Sequence, residues 1–171
     1  MTRLLVLWLL SERPLYGYEI TRSLSDSGMR FWFAVEEASI YSVLRTLARN
    51  GYAVEQVEDG DTGRPRRRYT ITAAGRAYYR ELLREALADP VLRADPVDVA
   101  LAASADLAPG EAGDLLAQRA AALRALLVGI EGNARAAPDA AIVRRRRALA
   151  AAELAWLETH QEATIDKEGT R

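Results

Sequence analysis

Arginines are concentrated in one short stretch of this chain. Residues 64–80 hold six arginines and no acidic residue. A guanidinium group stays charged and forms paired hydrogen bonds with phosphate oxygens, so Arg64, Arg66 and Arg67 are candidates for contacts with a phosphate backbone or with the minor groove of DNA. In an extended strand Arg66 and Arg68 point to one side and Arg67 to the other, and we expect Arg64 and Arg66 to make closer contacts than Arg68. Alternatively, these side chains form a solvated surface or neutralise the acids of the preceding turn.

A second group of polar side chains recurs at helical spacing within residues 37–50. Apolar residues occur there every three or four positions, which predicts a helix with one buried stripe. The opposite face carries Ser39, Ser42, Arg45 and Arg49. An arginine on such a face can bond both acceptor atoms of a guanine in the major groove of DNA, and Ser39 can bond a phosphate or a base edge. The alternatives are a solvated Arg45 and a helix N-cap at Ser39.

Three aromatic residues have two interpretations each. The ring of Tyr41, near the start of the same helix, packs at the edge of the core, and its hydroxyl can still donate to a phosphate. Trp8 and Trp32 are either core residues or a stacking site for an aromatic ligand.

Residue types that most enzyme chemistry requires are absent. The chain has no cysteine and a single histidine, His160, which excludes thiolate metal sites and histidine-based catalytic triads within one chain. Phosphate-binding loops, dinucleotide fingerprints and nucleophile elbows are also absent. We therefore expect neither an enzyme nor a metal or cofactor. The longest apolar run, Leu4–Leu10, is shorter than the ~20 residues that span a bilayer, which predicts a cytoplasmic protein without membrane contact.

Changes of hydrophobic period define the elements that position these residues. The pattern predicts three helices, a β-hairpin and a fourth helix with Thr72 as its N-cap. Their approximate ranges are 3–10, 18–24 and 37–50 for the helices, 52–58 and 64–72 for the strands, and 73–88 for the last helix. This order is that of a winged helix-turn-helix domain, in which the second and third helices form the helix-turn-helix unit.

Beyond Asp89-Pro90 the pattern is helical again. Helices are expected at about 95–107, 110–132 and 139–160, and apolar pairs recur every seven residues in the last of them. Such a repeat keeps one seam against a neighbouring helix. Two antiparallel helices alone make only a small core, so we expect this half to pack on a second copy. The residues predicted at that interface are Leu126, Ile130, Ile142, Leu149 and Trp156.

The predicted fold class is mainly α, with three regions. These are a winged helix-turn-helix domain at 1–88, a helical dimerisation domain at 89–165 and a tail at 166–171. Residues 1–87 carry 13 arginines against 11 acids, whereas residues 88–171 carry 10 basic residues against 13 acids. Although the net charge is −1, the basic strip allows the first half to bind phosphate locally.

Three motifs resemble those of PadR-family transcriptional regulators. Residues 15–20 (LYGYEI) are similar to the start of the family's second helix, and 38–47 (ASIYSVLRTL) to its recognition helix. Residues 63–76 (GRPRRRYTITAAGR) are similar to its wing and the entry to the fourth helix. Ala38 stands where the family pattern has glycine, and Ser42 where proline is common.

The resemblance implies a ligand-responsive repressor that binds a palindromic operator as a homodimer. The two half-sites would lie about one turn (~34–36 Å) or a multiple of it apart, and the effector implied is a small, often phenolic molecule. The alternative is a helical protein-interaction dimer that uses the winged helix as a scaffold without reading DNA. The residues expected at DNA are Tyr18, Ser39, Tyr41, Ser42, Arg45, Arg49, Arg64, Arg66 and Arg67.

Overall fold

A computed structural model describes residues 1–26, 29–33, 35–59, 65–90 and 95–168, with side chains as far as His160 in the last helix. The chain forms two compact units, Met1–Val91 and Leu92–Arg171. The protein is mainly helical with a small antiparallel sheet, which confirms the fold class expected from the sequence.

The first unit contains five helices and three strands in its described part. The helices are α1 (Thr2–Glu12), α2 (Gly17–Asp26), α3 (Met29–Trp32), α4 (Glu37–Arg49) and α5 (Ala73–Ala88). The strands are β1 (Leu15–Tyr16), β2 (Ala53–Asp59) and β3 (Pro65–Ile71). The predicted hairpin is β2–β3, with Ala53 opposite Ile71. The short strand β1, which the sequence analysis did not find, adds to β3 with Leu15 opposite Tyr69.

The core of this unit lies between α1, α2, α4 and the sheet. Five residues of α1 are buried, because this helix is apolar on almost every side. Ile20 from α2 and Leu44 from α4 are fully buried in the same cluster, and Tyr69 and Ile71 close it from the sheet. Because the apolar side of α4 packs in this core, the orientation of the helix is fixed and its polar side faces solvent.

A tight joint connects the start of α5 to the turn between α4 and β2. The Oγ1 atom of Thr72 accepts a hydrogen bond from the Gly75 amide at 3.0 Å, which confirms the predicted N-cap, and donates to the Gly51 carbonyl at 2.7 Å. The Thr72 amide donates to the Tyr52 carbonyl at 3.0 Å. A Cβ atom at Gly75 would lie 2.0 Å from that carbonyl oxygen, so the joint requires glycine.

The second unit consists of α6 (Pro96–Ala102), α7 (Glu111–Gly132) and α8 (Ala140–Glu168), with 3₁₀ turns at Ser104–Asp106 and Ala134–Ala136. The predicted helix at 95–107 therefore ends earlier, where the first 3₁₀ turn begins. Helix α8 continues to Glu168 and so includes residues 166–168, which the sequence analysis assigned to a tail. Residues 169–171 lie outside the described part. None of the described helices combines the length and apolarity needed to cross a bilayer.

Helices α7 and α8 form an antiparallel hairpin closed by apolar residues and ion pairs. Ala120 and Ile130 of α7 and Ala150 and Leu157 of α8 are buried. Ile130 was expected at the interface between two copies, but it is 1% exposed and packs inside the hairpin of its own chain. The seven-residue repeat of α8 thus provides both the residues that pack on α7 and a second row of apolar residues that is exposed.

Ion pairs join the two helices on their polar sides. Arg119 contacts Glu153 at 2.5 Å and Arg124 contacts Glu158 at 2.8 Å. Arg147 lies 3.6 Å from Glu131. The hydrogen bond with Glu153 raises the pKa of Arg119. The carboxylate of Asp95 lies 3.3 Å from the same guanidinium group.

Candidate nucleic-acid interface

The outward face of α4 presents two arginines and a serine in one line. Ser42, Arg45 and Arg49 are exposed and follow one another at spacings of three and four residues. On the opposite side Ile40, Leu44 and Leu47 are at most 1% exposed. The helix therefore offers a convex, positively charged edge of the kind that enters a major groove.

Ser39 lies at the flank of this line. The helix begins at Glu37 with Glu36 at the N-cap position, so the alternative that Ser39 caps the helix is wrong. The cap moves upstream because Glu37 and Ala38 already have helical backbone. The Ser39 hydroxyl lies 3.3 Å from Oγ1 of Thr2, and its contact with DNA stays a prediction.

Tyr41 packs against the beginning of α2. A Cβ atom at Gly17 would lie 2.4 Å from Cε1 of Tyr41, so the ring occupies the space that a larger residue at 17 would need. Burial raises the pKa of the Tyr41 hydroxyl, and nearby Glu37 raises it further. Tyr18 is 44% exposed, and its ring stacks on Tyr16 with centroids 5.5 Å apart.

The wing is the β2–β3 hairpin, and its two faces carry different groups. On the face that continues the core, Arg67 forms an ion pair with Glu55, which also accepts a hydrogen bond from the Tyr69 hydroxyl at 3.0 Å. Burial and this hydrogen bond raise the pKa of Tyr69, while the charges of Arg67 and Arg45 act to lower it. Arg45 therefore lies near this face of the wing.

On the other face, Glu58 contacts two side chains. The Tyr16 hydroxyl donates to Oε2 of Glu58 at 2.5 Å, and Nη1 of Arg68 lies 3.5 Å from Oε1. The guanidinium of Arg68 also lies 5.9 Å from the centre of the Tyr16 ring. The Tyr16 hydrogen bond lowers the pKa of Glu58, so the carboxylate stays ionised. Arg66 is half-buried on this face, and Arg64 lies outside the described residues.

Sequence reasoning missed both carboxylates of β2. Glu55 is paired directly with Tyr69 in the register but contacts Arg67, its diagonal neighbour. Such diagonal contacts follow only from a known register. The available signal was that residues 53–59 hold three acids and residues 65–71 hold three arginines.

Trp8 and Trp32 both pack within the first unit. Trp8 is half-buried, with its ring edge-on to Phe33 at 6.2 Å between centroids. Trp32 is fully buried and lies edge-on to Phe31 at 5.1 Å. These positions favour the core interpretation for Trp32, and a ligand contact of Trp8 stays a prediction.

Fold and site together define a winged-helix, DNA-binding transcriptional regulator. A model of the transcriptional regulator PadR-like family matches residues 6–81, and the chain belongs to this family. The family consists of transcription regulators and not of enzymes.

Solved structures share the fold along nearly the whole chain. Bacillus subtilis PadR in complex with operator DNA is 20% identical, covers 94% of this chain and 97% of that chain, and has a TM-score of 0.73. The same protein with p-coumaric acid is 22% identical over 96% and 98%, with a TM-score of 0.73. The Vibrio cholerae virulence activator AphA is 23% identical over 98% and 99%, with a TM-score of 0.70. An uncharacterized protein from Lysinibacillus sphaericus is 33% identical over 81 residues, 47% of this chain and 73% of that protein.

Proposed function

We propose that this regulator is a homodimeric repressor that binds a palindromic operator. Helix α4 enters the major groove, and the wing follows the flanking phosphate backbone. The observation that carries this proposal is the exposed line of Ser42, Arg45 and Arg49 on a helix whose other side is buried. We also propose that it acts in the cytoplasm.

Exposed apolar side chains on the α7–α8 hairpin support the homodimer. Leu126, Leu149 and Trp156 are 41%, 54% and 41% exposed. Counted at ~100° per residue from the buried stripes, they fall on one side of the hairpin. Ile142 belongs to the same stripe of α8 and is half-buried. An apolar face of this kind is covered in stable proteins, and a second copy presents the matching face through two-fold symmetry.

A small-molecule effector is the remaining part of the proposal. The structure of Bacillus subtilis PadR with p-coumaric acid supports relief of repression by an aromatic ligand in this chain as well. The second unit contains an open cavity of about 1070 Å³ between α6, α7 and the end of α8, lined among others by Leu101, Leu107, Leu115 and His160. Its mainly apolar lining suits the ring of such a ligand.

A mobility shift with DNA from upstream of the protein's own gene tests the proposal. We expect binding that weakens steeply with salt, and footprints of two half-sites separated by about 34–36 Å or a multiple. Addition of phenolic acids should release the DNA. Absence of any shift at low salt would favour the protein-interaction dimer instead.

Arg45→Ala should lower operator affinity by about 1–3 kcal/mol, because a guanine would lose its bidentate partner. The preference for one base pair in each half-site should relax, as measured by competition with singly substituted operators. Arg84→Ala, an exposed arginine of α5, is the matched control and should leave the preference intact. Equal losses on operator and random DNA would make Arg45 a phosphate contact.

Arg64→Ala combined with Arg66→Ala should weaken binding to all duplexes alike. The slope of log affinity against log salt should become shallower by roughly 0.9 for each phosphate that is no longer neutralised. Titration at several salt concentrations measures the slope. If it equals that of the parent protein, these two arginines are solvated in the complex.

A further inference from the structure

The wing carries acids that occupy its own arginines. Arg67 is held by Glu55 on one face, and Arg68 by Glu58 on the other. Both guanidinium groups are still partly open to solvent, with side-chain exposures of 63% and 42%. They are therefore within reach of a DNA backbone, but each already has an anionic partner.

Both carboxylates are held in place independently of the arginines. Glu55 accepts from the hydroxyl of Tyr69, which is only 3% exposed. Glu58 accepts from the hydroxyl of Tyr16. An arginine that turned towards a phosphate would leave its carboxylate behind, fixed next to the same phosphate. The resulting like-charge repulsion opposes that contact.

From this arrangement we infer that Glu55 and Glu58 limit the phosphate binding of the wing by competing for Arg67 and Arg68. The inference rests on the proposed contact of the wing with DNA. Non-specific affinity depends almost entirely on the number of neutralised phosphates, whereas base contacts from α4 depend on sequence. Because phosphate contacts carry no sequence information, withholding two arginines from the phosphates lowers the affinity of the wing for operator and random DNA alike. The two acids thus set the sequence-independent part of the affinity although they contact no DNA group themselves.

Glu55→Gln and Glu58→Gln test this inference. Glutamine keeps an oxygen that accepts from Tyr69 or Tyr16, so the hairpin is retained, and thermal unfolding verifies this. Each variant should bind a scrambled duplex more tightly, with a salt slope steeper by about 0.9 and a gain of roughly five- to tenfold at ~0.1 M salt. Operator affinity should rise by about the same factor, because the wing contacts phosphates in both duplexes, and the combined variant should show both gains.

Two controls separate a released arginine from a simple change of charge. Glu85→Gln removes one exposed acid from α5 without affecting the wing, and its salt slope should stay at the parent value. In the double variant Glu55→Gln/Arg67→Gln the gain should disappear, whereas Arg67→Gln alone should change the slope little. The inference is overturned if Glu55→Gln behaves like Glu85→Gln or if its gain persists without Arg67. Failure of the parent protein to bind any duplex at low salt would overturn the proposed function as well.

Discussion

Placing charges on the exposed apolar side of the α7–α8 hairpin should convert the proposed homodimer into monomers. We expect Leu126→Glu with Leu149→Glu to lower operator affinity by about 10²–10⁴-fold, because two linked half-site contacts become independent. Both side chains are largely exposed within one chain, so the hairpin itself should fold. Sedimentation measures the mass, and fluorescence anisotropy with labelled operator measures the affinity. Binding to a single half-site should survive at low salt.

Val128→Glu is the matched control for this prediction. Val128 is 71% exposed, but it lies two positions after Leu126 and thus on nearly the opposite side of α7. The Val128→Glu variant should keep the mass and the operator affinity of the parent protein. A double variant that remained a dimer with full affinity would contradict the assigned face, and α1, with the half-buried Trp8, would become the better candidate for the interface.

Gly75→Ala should have the largest effect on stability. Its Cβ atom would lie 2.0 Å from the Tyr52 carbonyl oxygen, which is backbone and cannot rotate away. Overpacking of side chains costs about 1–3 kcal/mol, and here we expect at least ~3 kcal/mol. That is a large part of a typical total of ~5–15 kcal/mol. Urea unfolding followed by tryptophan fluorescence measures the change, with Trp8 and Trp32 as reporters in this unit.

Gly113→Ala serves as the comparison for Gly75→Ala. Gly113 lies in α7, and beyond the adjacent backbone of its own helix no atom lies within 4 Å of a Cβ built there. Alanine should therefore stabilise that helix by about 0.5–1 kcal/mol. If both substitutions had small effects, the joint between Thr72 and Tyr52 would be more adaptable than its hydrogen bonds imply.

Hydrophobic periodicity predicted the parts of the fold in which one element has one buried face. Helix α4 is the clearest case, because apolar residues at spacings of three and four fit only an α-helix with one buried face. Strand β1 was missed because two residues contain no period, and Leu15–Tyr16 becomes a strand only through pairing with β3. The dipeptide is therefore specified by tertiary structure and not by its own sequence.

The interface residues show a different limit of sequence reasoning. Adjacent apolar residues repeated every seven positions in α8, such as Leu149 with Ala150 and Trp156 with Leu157, form two neighbouring stripes. One stripe is buried against α7 and the other is exposed. Both stripes can be recognised in the sequence, but the sequence does not show which of them packs on α7 and which stays exposed. For the same reason, Arg67 looked available for phosphate until the strand register brought Glu55 next to it.

The joint at Gly75 fixes one end of α5, so the length of this helix determines how far a tilt at the joint would move its other end. Its 16 residues extend about 24 Å at ~1.5 Å per residue. Thr72 fixes the N-terminal end of α5 to the α4–β2 turn. Two hydrogen bonds attach the first turns of α5 to α1: Arg76 donates to the Ser11 carbonyl at 3.1 Å, and Arg3 donates to the Tyr78 hydroxyl at 2.7 Å. A tilt of about 10° at that pivot would displace the far end by about 4 Å, given the length set by the helical rise. A small rotation of α5 next to the α4–β2 turn would therefore accompany a displacement of several ångströms at Ala88.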